Sequence, residues 1–359
     1  MAHVDVDALH KQLIRFPSLS GDEGPIADYI ERFVSERGVQ VGRHDDNVYF
    51  WVGDGDDTLL LNTHLDVVPA SSGHPHDPFD PVERDGRIYG RGSVDAKASV
   101  ASMTGALLSL EGEGWRPPDG RVMVALTTHE ETGGVYNGLE NLRPHLPALS
   151  GAIVGEPTDL EPCVAQKGLL ILNVHARGKT AHAARPHLGD NAVLKAARDI
   201  GRLESFPFGS EDPFLGSPTI TVTTIEGGSA RNVVPDRCTF TLDIRTTPGY
   251  SHDELFEQIS SALESDVEIH SKRIVPVSTP LESRIVRACV KANPEAQPFG
   301  SPTASDWIFL HDVPTVKIGP GSSDLSHTAD ESIPRDELLR GVELYRNIIK
   351  AFFMEQDTR

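Results

Sequence analysis

Apolar and polar positions change their period several times along this chain. VDALHKQLIR carries apolar residues at helical spacing and predicts a helix over Val6–Arg15, ending before Phe16-Pro17. PIADYIERFVSERG repeats the pattern, with proline at its start, glycine just past its end, and Ile26, Tyr29, Ile30, Phe33 and Val34 on one face. Strands VYFWV and TLLLNT follow, separated by the turn residues GDGDD. The stretch 67–92, rich in Pro, Gly, Asp and His, reads as a loop. KASVASMTGALLSL returns to helical spacing through Val100, Met103, Leu107 and Leu110. RVMVALTT and GAIVG are short, almost uninterrupted apolar runs, as expected of strands buried on both faces of a sheet.

From about Lys167 the texture changes. LLILNVHARG alternates like a half-exposed strand, and NAVLKAARDIGRLES reads as a helix. PTITVTTIEGG and RCTFTLDIRTT read as strands, HDELFEQISSALES as a helix and VEIHSKRIVP as a final strand. This β-α-β-β-α-β order predicts a ferredoxin-like α+β unit. It lies between strands of the first domain, which places the boundaries at 1–167 and 277–359 for a catalytic domain and 168–276 for an inserted one. The chain then returns with helix ESRIVRACVKA, strand TVKIG and a terminal helix RDELLRGVELYRNIIKAFF. The fold class expected is α/β: a mixed sheet with helices on both faces, plus the insertion.

Composition narrows the partners. A net charge of −20 over 359 residues argues against nucleic acid or an anionic membrane, because phosphate is met by clustered Lys and Arg. No apolar run approaches the ~18 residues of a membrane span. The start, MAHVDVDALHKQLIRF, lacks the basic-then-apolar pattern of a signal peptide, so a cytoplasmic protein is expected. Cys163, Cys238 and Cys289 are odd in number and far apart, which speaks against a disulfide framework or a zinc knuckle.

Candidate chemistry collects where apolar runs end. His64 and Asp66 follow TLLLNT, Glu130 and Glu131 follow RVMVALTT, Glu156 follows GAIVG, and His327 lies in the loop after PTVKIGPG. Asp95, in GRGSVDAKAS, stands where a helix should start, equally suited to capping it or to ligating a cation. Ligands of open α/β sheets bind beyond the carboxyl ends of the strands, so these groups can converge on one rim. Residues two apart on a strand share a face, so Asp66 is placed to hydrogen-bond the His64 ring. Two adjacent glutamates after a buried strand are costly unless cations compensate, and in extended backbone they point apart. One can ligate while its neighbour meets a water. Two histidines and three carboxylates (Asp95, Glu131, Glu156) suit a two-metal hydrolytic site. The chain has no G-x-S-x-G elbow, Gly178-Lys179-Thr180 lacks the glycine spacing of a P-loop, and GRG makes no dinucleotide fingerprint.

Taken in order, THLDVVP, GRGSVDAKAS, HEETGG, VGEPT, GKTAHAARPHLGDNA, GGSARNVVPD with LDIR, and GPGSSDLSHTADE span most of the chain. As a set they resemble the dinuclear zinc family of aminoacylases, acetylornithine and succinyl-diaminopimelate deacylases, and carboxypeptidase G. One departure is His129, where an acid commonly precedes the glutamate pair. The resemblance implies that His64, Asp95 and Glu156 hold one zinc and that Asp95, Glu131 and His327 hold the other, with cobalt able to substitute. It implies Glu130 as general base, Asp66 as orienter of His64, His182 as an oxyanion donor reaching a partner subunit's site, and Asn232 and Arg245 as substrate-binding groups. It also implies a homodimer formed through the inserted domain, which would serve as a lid. The expected reaction is hydrolysis of an N-acyl amino acid. The texture SPTASDWIFL with VPTVKIGPGSSDLSHTADE points first to acetylornithine deacetylation in arginine biosynthesis. Removal of succinyl from ornithine or diaminopimelate, of acetyl from citrulline, or a dipeptidase or carboxypeptidase activity are the alternatives. A catalytically inactive binding homologue is the alternative of another class; it would be expected to have lost a metal ligand or Glu130.

Overall fold

The computed structural model describes residues 4–71, 73–132 and 136–354. Gly133 and Gly134, which close the HEETGG motif, lie outside the described residues. Two compact units divide the chain: 1–164, 279–299 and 305–359 form the first, 165–278 and 300–304 the second.

The first unit is organised by a mixed sheet. Its spatial order begins Gln40–His44, Asn47–Val52, Gly120–Thr127, Asp57–His64, Gly151–Val154, Thr315–Lys317 and Cys163–Gln166. Four adjacent strands are parallel: Gly120–Thr127, Asp57–His64, Gly151–Val154 and Thr315–Lys317. Register levels their carboxyl ends, with His64 opposite Thr127, Asn62 opposite Val154, and Val154 opposite Lys317. Leu59, Leu60 and Leu61 are all fully buried, which explains the uninterrupted apolar run. Each contributes on the order of 1.5–3 kcal/mol of burial.

Helix Lys97–Gly112 is buried almost all round. It packs between the sheet and the helices Val6–Ile14 and Arg335–Met354. Small residues let it approach: a Cβ on Gly105 would stand 2.5 Å from Val6 Cγ2. The helix begins at Lys97 with Ala96 as its cap and no capping side chain, so Asp95 is not the N-cap. Nor is 67–92 simply a loop. It contains a hairpin of short strands, Val82–Arg84 and Arg87–Tyr89, and the second pairs with Ser332–Pro334 to complete a three-stranded sheet. Partners some 245 residues away leave no periodic trace in so short a segment.

The second unit runs strand Gly168–Arg177, helix Ala192–Leu203, strands Thr219–Gly227 and Arg237–Thr246, helix His252–Ala262 and strand Asp266–Ile274. Its sheet is antiparallel throughout, in the order Thr219–Gly227, Arg237–Thr246, Gly168–Arg177, Asp266–Ile274. One sheet face carries Leu170, Leu172, Val174, Phe240, Leu242 and Ile244, covered by Ala192, Ala196, Leu203, Leu255 and Ile259 of the helices. Alternation along Gly168–Arg177 is complete, as expected of a sheet with one face packed. Among the described residues no helix is long and apolar enough to cross a membrane.

Candidate active site

Level carboxyl ends of the parallel strands bring the separated polar groups to one place. His64 ends its own strand and is 1% exposed. Its Nδ1 lies 3.0 Å from the main-chain oxygen of Asp66. An N–H donated there leaves Nε2 with a free lone pair, and that atom faces Asp95 Oδ1 at 3.2 Å and Glu156 Oε1 at 3.8 Å. The other oxygen of Asp95 faces His327 Nε2 at 3.5 Å, and His327 Nε2 lies 3.0 Å from Glu131 Oε1. His64, Asp95 and Glu131 each place a ligand atom within 4.8 Å of the others'. His182, Asn232 and Arg245 belong to the second unit. There His182 Nδ1 accepts the Ala184 N–H, Asn232 offers its carbonyl to Ala183, and Arg245 makes two bonds to Asp243.

Asp66 faces the His64 ring and has a second task besides. Its carboxylate lies 3.4 Å from the ring nitrogen that the main-chain oxygen already takes. Its oxygens also accept the N–H groups of Glu130 at 3.2 Å and Glu131 at 3.1 Å, with Ser20 Oγ donating at 2.7 Å. Asp66 thus fixes the turn that presents both glutamates. His129, just before them, has φ 60 and His327 has φ 64. Left-handed backbone costs such residues roughly 1–2 kcal/mol, so tertiary contacts must hold it. The Glu23 carboxylate supplies one by accepting the His129 N–H at 3.0 Å.

Sequence reasoning missed further groups here. Asp306 is buried, accepts from Thr127 Oγ1 and Asn137 Nδ2, and is pushed up to about 6 by burial. It joins the end of the Gly120–Thr127 strand to the residue that caps the short helix Gly138–Leu142, and so spans the glutamate turn. Its only sequence signal is a lone acid amid the apolar run of SDWIFL. Lys97 is fully buried, donates to the Phe16 carbonyl, and is brought down to about 7 by burial.

The donor set fits cations. Ligands about 2.1 Å from a tetrahedral ion stand ~3.4 Å from each other, and the separations here run from 3.0 to 3.8 Å. Glu156 Oε1 is buried without a hydrogen-bond partner. Burial and then the Asp95 charge push Glu156 up to about 8. Burial and then Glu156 hold Glu130 well above the usual carboxylate range. Asp95 goes the other way: burial opposes ionisation, but His327 and His64 hold it below that range. Hydrogen bonds donated to Asp95 and Glu131 push His327 up to about 10. Acids this crowded retain protons unless positive charge replaces them.

That gives a pH prediction for protein stripped of metal by chelation. Glu156, raised from 4.5 to about 8, and His327, raised from 6.5 to about 10, hold protons that the unfolded chain has released. Their stabilisation is full below the unfolded values and is lost as pH rises through the folded ones. Cations displace those protons, so metal binding strengthens over the same window. His10, brought down to about 4, and Lys97 act with the opposite sign but contribute with or without metal. The rise in melting temperature on adding zinc to stripped protein should therefore grow from about pH 5.5 to about pH 8. A rise that is flat or shrinking over that range would contradict the assignment.

Three relatives set this geometry in context. A succinyl-diaminopimelate desuccinylase of Rhodospirillum centenum is 30% identical over 99% of both chains. An acetylornithine deacetylase of Myxococcus xanthus is 33% identical over 80% of this chain and 78% of its own. The crystal structure of aminopeptidase PepT from Bacillus cereus superposes with a TM-score of 0.81 at 25% identity, covering 98% of this chain and 100% of the other. The model of peptidase family M20/M25/M40 matches residues 60–351, which include His64, Asp95, Glu131, Glu156 and His327. The chain belongs to peptidase family M20/M25/M40 and is a hydrolytic enzyme.

Proposed function

We propose that this enzyme hydrolyses the amide of an N-acyl amino acid at a two-cation centre, with His64, Asp95 and Glu156 holding one ion and Asp95, Glu131 and His327 the other. The observation that carries the reading is Asp95, whose two oxygens face two different imidazoles at 3.2 and 3.5 Å. Zinc or cobalt held there would supply Lewis acidity, acidifying a water and polarising an amide carbonyl. Glu130 is the general base: a carboxylate raised by burial matches a proton that must be taken from water and passed to the leaving nitrogen. Asp66 holds that base in place through the main-chain N–H groups of both glutamates. The second unit serves as lid and dimerisation domain, and His182 of the partner subunit meets the oxyanion. Asn232 and Arg245 take the substrate's polar groups. Arg245 has five N–H donors, more than Asp243 uses.

For the substrate, full-length likeness to desuccinylases favours N-succinyl-diaminopimelate ahead of the N-acetylornithine that the C-terminal motifs suggested. The test is an amine-release screen of the zinc-loaded enzyme with N-succinyl- and N-acetyl-diaminopimelate, -ornithine and -citrulline, and with di- and tripeptides. Release from at least one N-acyl amino acid, abolished by chelation, is the expected result. Turnover of peptides alone would transfer the assignment to a peptidase.

A further inference from the structure

One buried ion pair outside the donor set ties two of its members together. Glu331 and Arg91 are each 1% exposed, and Arg91 Nη1 donates to Glu331 Oε2 at 2.6 Å. The Glu331 carboxylate also accepts main-chain N–H groups from the turn that ends in Asp95. Gly92 donates to Oε2 at 3.0 Å, while Val94 and Asp95 donate to Oε1 at 2.9 and 3.1 Å. The Glu331 carbonyl takes a fourth, from Gly90, at 3.1 Å. The turn is tight: Gly92 has φ 77, and a Cβ there would stand 2.7 Å from Val67 Cγ1. In the other direction, Arg91 Nη2 donates to the main-chain oxygen of His327 at 3.3 Å. A carboxylate buried near Asp95 is electrostatically unfavourable, and an apolar side chain would fill the space without that cost. What an apolar side chain cannot do is hold these amides and that carbonyl at fixed separation.

We propose that Glu331, acting with Arg91, is a positioning residue that sets the distance between Asp95 and His327 and so the affinity for the cation these two share with Glu131. The role rests on the two-cation reading above. Coordination tolerates displacements of only a few tenths of an ångström, and a site loose by about 1 Å loses its function. Freed from Glu331, the 90–95 turn shifts Asp95, and the His327 loop loses the donor on its carbonyl.

The test is a zinc titration of metal-stripped, full-length protein against a chelating dye, with the visible spectrum of the cobalt-substituted protein as a second readout. The unaltered chain is compared with Glu331→Gln and with the double variant Arg91→Met/Glu331→Gln, which leaves no buried charge without its partner and stands in should the single variant fail to fold. The unaltered chain should take two ions. In the variants the weaker-bound ion should lose about 10–100-fold in affinity, the scale seen for groups that orient ligands, and the cobalt bands should shift. A purely structural role would lower the melting temperature and leave affinity and spectrum of the folded protein unchanged, which overturns the proposal. Failure of the unaltered chain itself to bind two ions overturns the two-cation reading, and this role with it.

Discussion

Glu130→Gln should retain both metal ions while losing ~10²–10⁴ in turnover, the usual contribution of general acid–base catalysis. The substitution keeps the side chain's size and removes only its capacity to accept and return a proton. No cation donor is altered, and Asp66 still receives the main-chain N–H of residue 130 at its place in the turn. Removing one carboxylate also relieves the repulsion that Glu156, Asp306 and Glu131 impose on the half-buried Glu130. The variant should therefore be at least as stable as the parent, which excludes misfolding as the cause of lost activity. The measurements are single-substrate turnover at saturating zinc, metal content per chain and thermal unfolding. Near-normal turnover would remove Glu130 from the mechanism. Loss of an ion along with activity would instead make it a ligand.

Much of this site is legible because a parallel sheet writes its function at strand ends. TLLLNTH, RVMVALTT and GAIVG each show an apolar run that stops at, or a few residues before, a proposed ligand, and register then levels those ends. The β-α-β-β-α-β unit was equally open to reading, since one-sided burial produces strict alternation. The groups that hold the donors in place were not. Asp66 lies beside the His64 ring, as its spacing suggested, but it also serves two amides in another loop, which the spacing did not reveal. Glu331 stands inside the motif HTADE but acts on Gly92, Val94 and Asp95, some 240 residues earlier. A carboxylate that accepts backbone N–H groups has no characteristic spacing, since every residue type except proline offers that donor. The capping reading of Asp95 was removed only by the helix starting at Lys97 with no side-chain cap.

Asp95→Asn should have the larger effect, because it strikes both halves of the centre at once. An amide has one oxygen to offer, and its NH₂ group donates where a cation needs a lone pair. Either His64 or His327 therefore loses its carboxylate counterpart, at 3.2 Å in one case and 3.5 Å in the other. The site also loses a negative charge, and Asp95 is the carboxylate its histidines hold most firmly ionised, well below the ordinary range. The variant should retain at most one tightly bound ion. Cations contribute several kcal/mol of transition-state stabilisation, which at about 1.4 kcal/mol per tenfold amounts to ~10³ or more in rate. Excess zinc should not restore it, because the missing element is geometric as well as electrostatic. The Glu331 contact to the main-chain N–H of residue 95 is untouched by the change, so the turn keeps its shape. Metal content by atomic spectroscopy, paired with turnover over a range of zinc concentrations, decides the matter. An Asp95→Asn enzyme that binds two ions with parental affinity would mean that Asp95 does not bridge, and the two-cation reading would fall with it.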